Sequence, residues 1–232
     1  MTHMHYFPVG VGVATVFFAI LLGLLFFIQL RLLGHAYSAL GLDPRVATLV
    51  LFGSLLGSYV NLPLARLPDE RIVSREVVEI FGLPFLAPVA VDWPGTILAI
   101  NVGGAVIPIL LSLYLLMRYD LWITGAAATA IVAFVVHRMA TPIPGVGISV
   151  PTLAPPLLAA GVALALSRRF AAPIAYIGGN LGVLIGADLA NLGRLRSLGA
   201  PVASIGGAGT FDGIFLTGVI AVLLASLVME RR

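Results

Sequence analysis

Residues 185–213 read IGADLANLGRLRSLGAPVASIGGAGTFDG. An apolar run holding Asp188 gives way to a short loop with Arg194 and Arg196, and a second run of small residues leads to Asp212. The stretch reads as a hairpin of two membrane helices whose loop arginines mark the interface. Counted at the helical rise, Asp188 lies about 9 Å before Arg194, and Asp212 about 12 Å after Ser204. The two carboxylates are therefore expected at similar depth on neighbouring helices. A charged aspartate near the bilayer centre costs at least ~2.5–3.5 kcal/mol, so such residues are paired or face a cavity, and they point to function.

The rest of the chain supports a membrane setting. Of 232 residues, 60% are hydrophobic and 10% are charged, and the mean hydropathy is +1.10. A soluble domain carries about a quarter charged residues. The chain is expected to be an all-α, integral, multi-pass membrane protein of a prokaryotic cell membrane, with one polytopic domain over residues 1–232. It has no cysteine, which excludes disulfides and thiolate metal sites. All thirteen basic residues are arginine, which excludes lysine Schiff-base and P-loop chemistry. No basic run is interleaved with aromatics, so nucleic acid is not an expected partner. The lipid bilayer is, and arginines at loop ends suit its anionic headgroups. The opening MTHMHYFPVG has neither a positive segment nor a small-residue cleavage site, and reads as the start of a retained span.

A helix crossing the hydrocarbon needs roughly 20 apolar residues. About seven spans are expected, over 9–30, 46–64, 95–117, 121–137, 151–167, 171–190 and 204–229. Glycine and proline interrupt several of them. Broken helices are tolerated only where protein or a water-filled cavity covers the exposed backbone. The segment 65–94 is too polar to span. Its first half is RLPDERIVSREVVEIF, in which residues 71–81 predict a short strand pair or an interfacial helix, and its second, GLPFLAPVAVDWPG, predicts a re-entrant loop. The arginines divide almost evenly between the two sides and set no firm orientation.

Small residues suggest where helices meet. Gly178, Gly182 and Gly186 recur every fourth residue, as do Gly209, Gly213 and Thr217. This spacing lets backbones pack closely. Asp188 lies about 160° around the helix from Gly186, so the seam is expected to bind one neighbour while the acid faces another or a cavity. SIGGAGTFDG (204–213) reads as an unwound entry to the last span, where Gly207, Gly209, Thr210 and Gly213 line the cavity. Asn180 and Tyr176, upstream of Asp188, are candidates for the same cavity.

Two close carboxylates cannot both ionise easily, so they share a proton. One then activates water while the other protonates a carbonyl. GAGTFDGIFLTG (207–218) resembles the second catalytic motif of the GxGD intramembrane aspartyl proteases, which include presenilin, signal peptide peptidase and the prepilin peptidases. Here Thr210 and Phe211 separate Gly207-Ala208-Gly209 from Asp212, and Ala187 stands where the first motif has tyrosine. The resemblance implies Asp188 and Asp212 as a catalytic dyad acting on a membrane-embedded peptide. More broadly, YVNLPL, INVGGAVIP, HRMATPIPGVGISVP, AYIGGNLGVLIGADL and SIGGAGTFDGIFLTG, in that order, resemble an uncharacterised bacterial and archaeal membrane-protein family, which implies a fold and no activity.

Other readings stand beside the hydrolase. The acid pair suits a proton- or cation-coupled transporter or channel. A structural role, in which the acids only satisfy one another or nearby arginines, is a third. His137, at the end of the fourth expected span, would complete a three-ligand site with Asp188 and Asp212 for a divalent metal such as Zn²⁺. No cofactor is expected otherwise, and His137 then serves as an interfacial hydrogen bonder. Asn61, Asn101 and Asn180 are expected to hydrogen-bond across helices. Oligomer formation is left open.

Overall fold

The computed structural model describes residues 11–67, 70–80, 83–93, 95–143, 147–195, 201–207 and 213–230. Helix α1 spans Val11–Ala39 and helix α2 Pro44–Gly57. The sequence between them explains the break. Gly41 takes φ +72°, a left-handed stop that glycine adopts without strain. Asp43 then caps α2 by accepting the Arg45 backbone N–H at 2.9 Å, with Pro44 opening the helix. Arg31 was expected to end the first span, yet α1 runs a further two turns beyond it.

Strands β1 (Asn61–Leu67), β2 (Glu70–Ile80), β3 (Leu83–Trp93) and β4 (Thr96–Asn101) follow. Residues 70–93 form an antiparallel hairpin in which Glu70 pairs with Trp93 and Ile80 with Leu83. The first half is thus one long strand rather than a short strand pair or a helix, and the expected re-entrant loop supplies its partner strand. Pro84 and Pro88 sit four positions apart in β3, on the same edge, where a missing N–H is tolerated. A π-helical turn, Val102–Val106, leads from β4 into α3 (Ile107–Tyr119). Helix α4 (Trp122–Met139), the short hairpin β5 (Thr141–Ile143) and β6 (Gly147–Ser149), and α5 (Ala154–Leu166) come next.

Helix α6 (Ala171–Val183) continues through a π segment, Leu184–Asp188, and a 3-10 turn, Leu189–Asn191, into α7 (Leu192–Leu195). Strand β7 (Val202–Ile205) precedes the last helix, α8 (Gly213–Glu230). A mixed sheet of order β1-β4-β7 joins the chain's distant parts. β1 runs antiparallel to β4 with a bulge between Pro63 and Ala65, and β4 runs parallel to β7 with Ile97 opposite Val202.

The fold is mostly helical, but it is not all-α. The second, third and seventh expected spans each contain a strand. Four- to seven-residue apolar strands such as TILAIN carry no periodicity that separates them from a membrane helix. Among the described residues, three helical stretches are long and apolar enough to cross a membrane: Val102–Tyr119, Trp122–Met139 and Ala171–Arg194. They mark a membrane protein. Shorter apolar helices are Thr15–Leu24, Pro44–Gly57, Ala154–Leu166 and Gly213–Val228.

Helix α6 is the hub. Ala171, Ile174, Ala175 and Ile177 are fully buried among α3, α4, α5 and α8. The predicted seam exists and faces α4: a Cβ at Gly178 would lie 2.8 Å from the Ala128 Cβ, and one at Gly182 2.6 Å from the Val132 Cβ. Gly186 presses on the Ala133 carbonyl. The seam expected on α8 falls elsewhere. Gly213 is exposed and meets nothing within 4 Å, while Thr217 packs on Gly179 and Gly218 on the Asn180 amide. Gly209 lies outside the described residues.

Gly182→Ala is expected to destabilise the detergent-solubilised protein by about 1–3 kcal/mol through overpacking. Gly161→Ala, on α5 with open space around it, should hold or raise the thermal midpoint by its better helix propensity, about 0.5–1 kcal/mol. Thermal unfolding compares the two. Equal midpoints would mean that the α4–α6 seam is not tightly packed.

Candidate functional site

Asp188 closes the π segment after α6, and its side chain is partly buried. Its Oδ2 accepts the Gly206 backbone N–H at 2.8 Å. Among the described residues that N–H is its hydrogen-bond partner. Gly206 and Gly207 take φ +90° and +88° in the turn that follows β7. A side chain there would be strained, and it would also clash, since a Cβ on Gly206 would fall 2.6 Å from the Ala105 Cβ and 2.7 Å from the Ala105 nitrogen. Gly206 is therefore held between the two described π segments. The first presses on its Cα, and the second delivers a carboxylate to its N–H. Such π turns occur often at functional sites, because they let a helix aim one side chain off its regular face.

The π segment is itself secured by side chains. Asn191 is buried, and its Nδ2 donates to the carbonyls of Gly186 at 3.1 Å and Ala187 at 2.9 Å. His137, at the end of α4, brings Nδ1 to 3.3 Å from both the Gly186 carbonyl and Asn191 Nδ2. The two amide hydrogens of Asn191 are already committed to carbonyls. The consistent assignment places a proton on His137 Nδ1, donating to the Gly186 oxygen. His137 thus acts as a hydrogen bonder that ties α4 to the segment carrying Asp188. Asn191 went unnoticed in the sequence. Its signal was available: it stands four and five positions after the two carbonyls that a broken helix would leave to a side chain.

A second polar cluster lies at the head of the sheet. Asn101 Nδ2 donates to the Ser58 carbonyl at 2.7 Å and to Asn61 Oδ1 at 3.0 Å, and its Oδ1 accepts the Gly104 N–H at 2.8 Å. Ser204 on β7 donates to Asn61 Oδ1 at 2.6 Å. These asparagines do form the expected long-range hydrogen bonds, but at strand ends rather than between helices.

Asn180 and Tyr176 are buried at 1% and 2% exposure, about two and three turns before Asp188. Asn180 Nδ2 donates to the Tyr176 carbonyl at 3.0 Å, and its side chain lies against Gly218 of α8. Asn180 thus belongs to the α6–α8 contact, and its hydrogen bond goes to Tyr176 rather than to Asp188. Gly207 is in the turn beside Gly206, and its N–H donates to the Ser204 carbonyl at 3.2 Å. Gly213 opens α8. Asp212, Thr210 and Gly209 lie outside the described residues. The helix expected from Ser204 does not start there: Ser204 is in β7, and α8 begins at Gly213. Among the described residues no three histidine or carboxylate side chains cluster as metal ligands. His137 and Asp188 are the described members of the expected metal set.

Replacing Asn191 by leucine should cost about 1–3 kcal/mol, because it strips the Gly186 and Ala187 carbonyls of their buried donor. Thermal unfolding measures it, and an unchanged midpoint would show that the amide does not secure the π segment.

No curated protein and no solved structure matches the chain. A family profile does match, over residues 55–224, and the chain belongs to that family, DUF1614, described as a protein of unknown function.

Proposed function

Starting from a family without an assigned activity and from the Asp188 geometry, we propose that the chain is a multi-pass protein of a prokaryotic cell membrane that hydrolyses membrane-embedded peptides. Asp188 and Asp212 are the paired carboxylates in this reading. The observation that carries it is the Asp188–Gly206 hydrogen bond. It holds one carboxylate at the start of the glycine-rich segment that ends in the other. Six residues from Gly206 to Asp212 reach at most about 20 Å, so the second acid stays within the neighbourhood of the first.

In this reading the two carboxylates come within a few Å and share a proton, and the pair works as base and acid. The ionised acid takes a proton from water as the oxygen attacks the peptide carbonyl. The protonated acid donates to the carbonyl oxygen. Collapse of the tetrahedral species expels the amine, with the protons redistributed between the two acids. Strand β7 suits such a substrate. Among the described residues it pairs only with β4, and its open edge offers backbone groups to an extended peptide.

The second reading, an ion- or proton-coupled transporter, draws on the π segment that interrupts α6 beside a carboxylate, since broken helices carry many transport sites. Reconstitution with a single-span peptide distinguishes the two. Asp188→Asn and Asp212→Asn should each lower cleavage by at least about 10²-fold with the thermal midpoint retained. Normal cleavage by both variants would end the hydrolase reading. A pH-dependent flux in sealed liposomes, lost in the same variants without any cleavage, would favour transport. Metal content that disappears in His137→Ala would bring in the divalent-ion reading.

A further inference from the structure

The hairpin of β2 and β3 forms a two-stranded sheet of its own, apart from the β1-β4-β7 sheet. Among the described residues each of its strands packs chiefly on the other. An isolated two-stranded hairpin is marginally stable at best, and further strands or a covering helix are needed to secure it. The register shows which edge can take a strand. Pro84 and Pro88 stand inside the ladder, opposite Glu79 and Arg75. Proline has no N–H to give to β2, so at these positions the backbone of β3 faces the outer edge. Backbone groups alternate along a strand, so the outward row of β3 is Pro84, Leu86, Pro88, Ala90 and Asp92, and its prolines blunt it. The pairing then fixes the outward row of β2 as Arg71, Val73, Arg75, Val77 and Glu79. This row contains no proline and is complete in backbone donors and acceptors.

We propose that β2 pairs antiparallel with β2 of a second copy of this chain, joining two hairpins into a four-stranded sheet. A two-fold axis perpendicular to that sheet sets one residue of β2 opposite itself. Centred on Arg75, the axis aligns the whole of Glu70–Ile80 with its counterpart, and Arg71 falls opposite the partner's Glu79 at both ends. Arg71 is already opposite Asp92 within its own hairpin. The cation therefore takes the middle register position between two carboxylates. Opposite charges at facing positions stabilise a sheet and like charges oppose it. The register gains an Arg71–Glu79 pair at each end against one Arg75–Arg75 juxtaposition at the axis. An axis at Val77 would set Arg75 opposite the partner's Glu79, but it aligns only residues 74–80 and leaves Arg71 out of the pairing. Full overlap makes more hydrogen bonds and selects the Arg75 axis. The interface is separate from Asp188 and holds whether or not the chain is a hydrolase.

The chain has no cysteine, so a single introduced thiol reports the register without background. Arg75→Cys sets its thiol opposite its own copy, with the two Cα atoms about 5.5 Å apart and within disulfide reach. Mild oxidation of the purified full chain in detergent should convert most of it to a disulfide-linked species of twice the mass. Val77→Cys, on the same edge, lies roughly 14 Å from its copy and should not cross-link. Light scattering of the unmodified protein should give two chains per particle. Glu79→Arg, which sets like charges opposite at both ends, should raise the dimer dissociation constant at least about fivefold. Adding Arg71→Glu should recover part of that loss. The thermal midpoint reports that each variant is folded. One chain per particle at every concentration would overturn the proposal and leave the β2 edge to another polypeptide. Cross-linking at Val77 equal to or above that at Arg75, or a dissociation constant unmoved by Glu79→Arg, would overturn it as well.

Discussion

In apolar surroundings a backbone amide or carbonyl without a partner costs several kcal/mol, and water is not there to supply one. This chain leaves regular helix repeatedly inside apolar sequence, and at three of the described departures a buried or partly buried side chain stands in for the missing backbone group. Asn101 answers the Gly104 N–H and the Ser58 carbonyl. Asn191 answers the carbonyls of Gly186 and Ala187. Asp188 answers the Gly206 N–H. The first two are amides, which carry donors and acceptors without charge. The third is a carboxylate, which only accepts when ionised. An asparagine would satisfy the same N–H at lower desolvation cost.

Close approach makes these substitutions geometrically possible. Apolar helices in an apolar solvent gain little from hydrophobicity and associate through packing. The glycine seam of α6 lets α4 come near enough for His137 to reach the Gly186 carbonyl. Neighbouring positions of α6, Gly179 and Asn180, receive α8 at Thr217 and Gly218. The hub helix thus fixes both the π segment beside Asp188 and the helix that follows Asp212.

Much of this was legible in the residues. The four-residue glycine period announced the seam, and the lone Asp188 in an apolar run announced a special position. Apolar strands escaped notice because short runs such as TILAIN and VASI look alike whether they form helix or sheet. Arg31 misled for a different reason. An arginine ends an apolar run, but it is a good helix former, so the helix outlives the hydropathy signal until Gly41. The Gly206 contact depends on a turn with successive positive φ angles, which the glycine pair permits but does not specify. Its partner Asp188 is eighteen positions away, and nothing in local sequence couples them.

The parallel pairing of β4 with β7 also bears on how the molecule is assembled. Ile97 meets Val202, so the ladder closes a loop of roughly a hundred residues, and contacts this remote are slow to form. Five helical elements, α3 to α7, are threaded between the partners. The Gly206 turn that receives Asp188 directly follows β7. During synthesis the upstream helices emerge first, and the sheet waits for the C-terminal part of the chain. The Asp188–Gly206 hydrogen bond therefore forms only after β7 has followed all of these helices out of the ribosome.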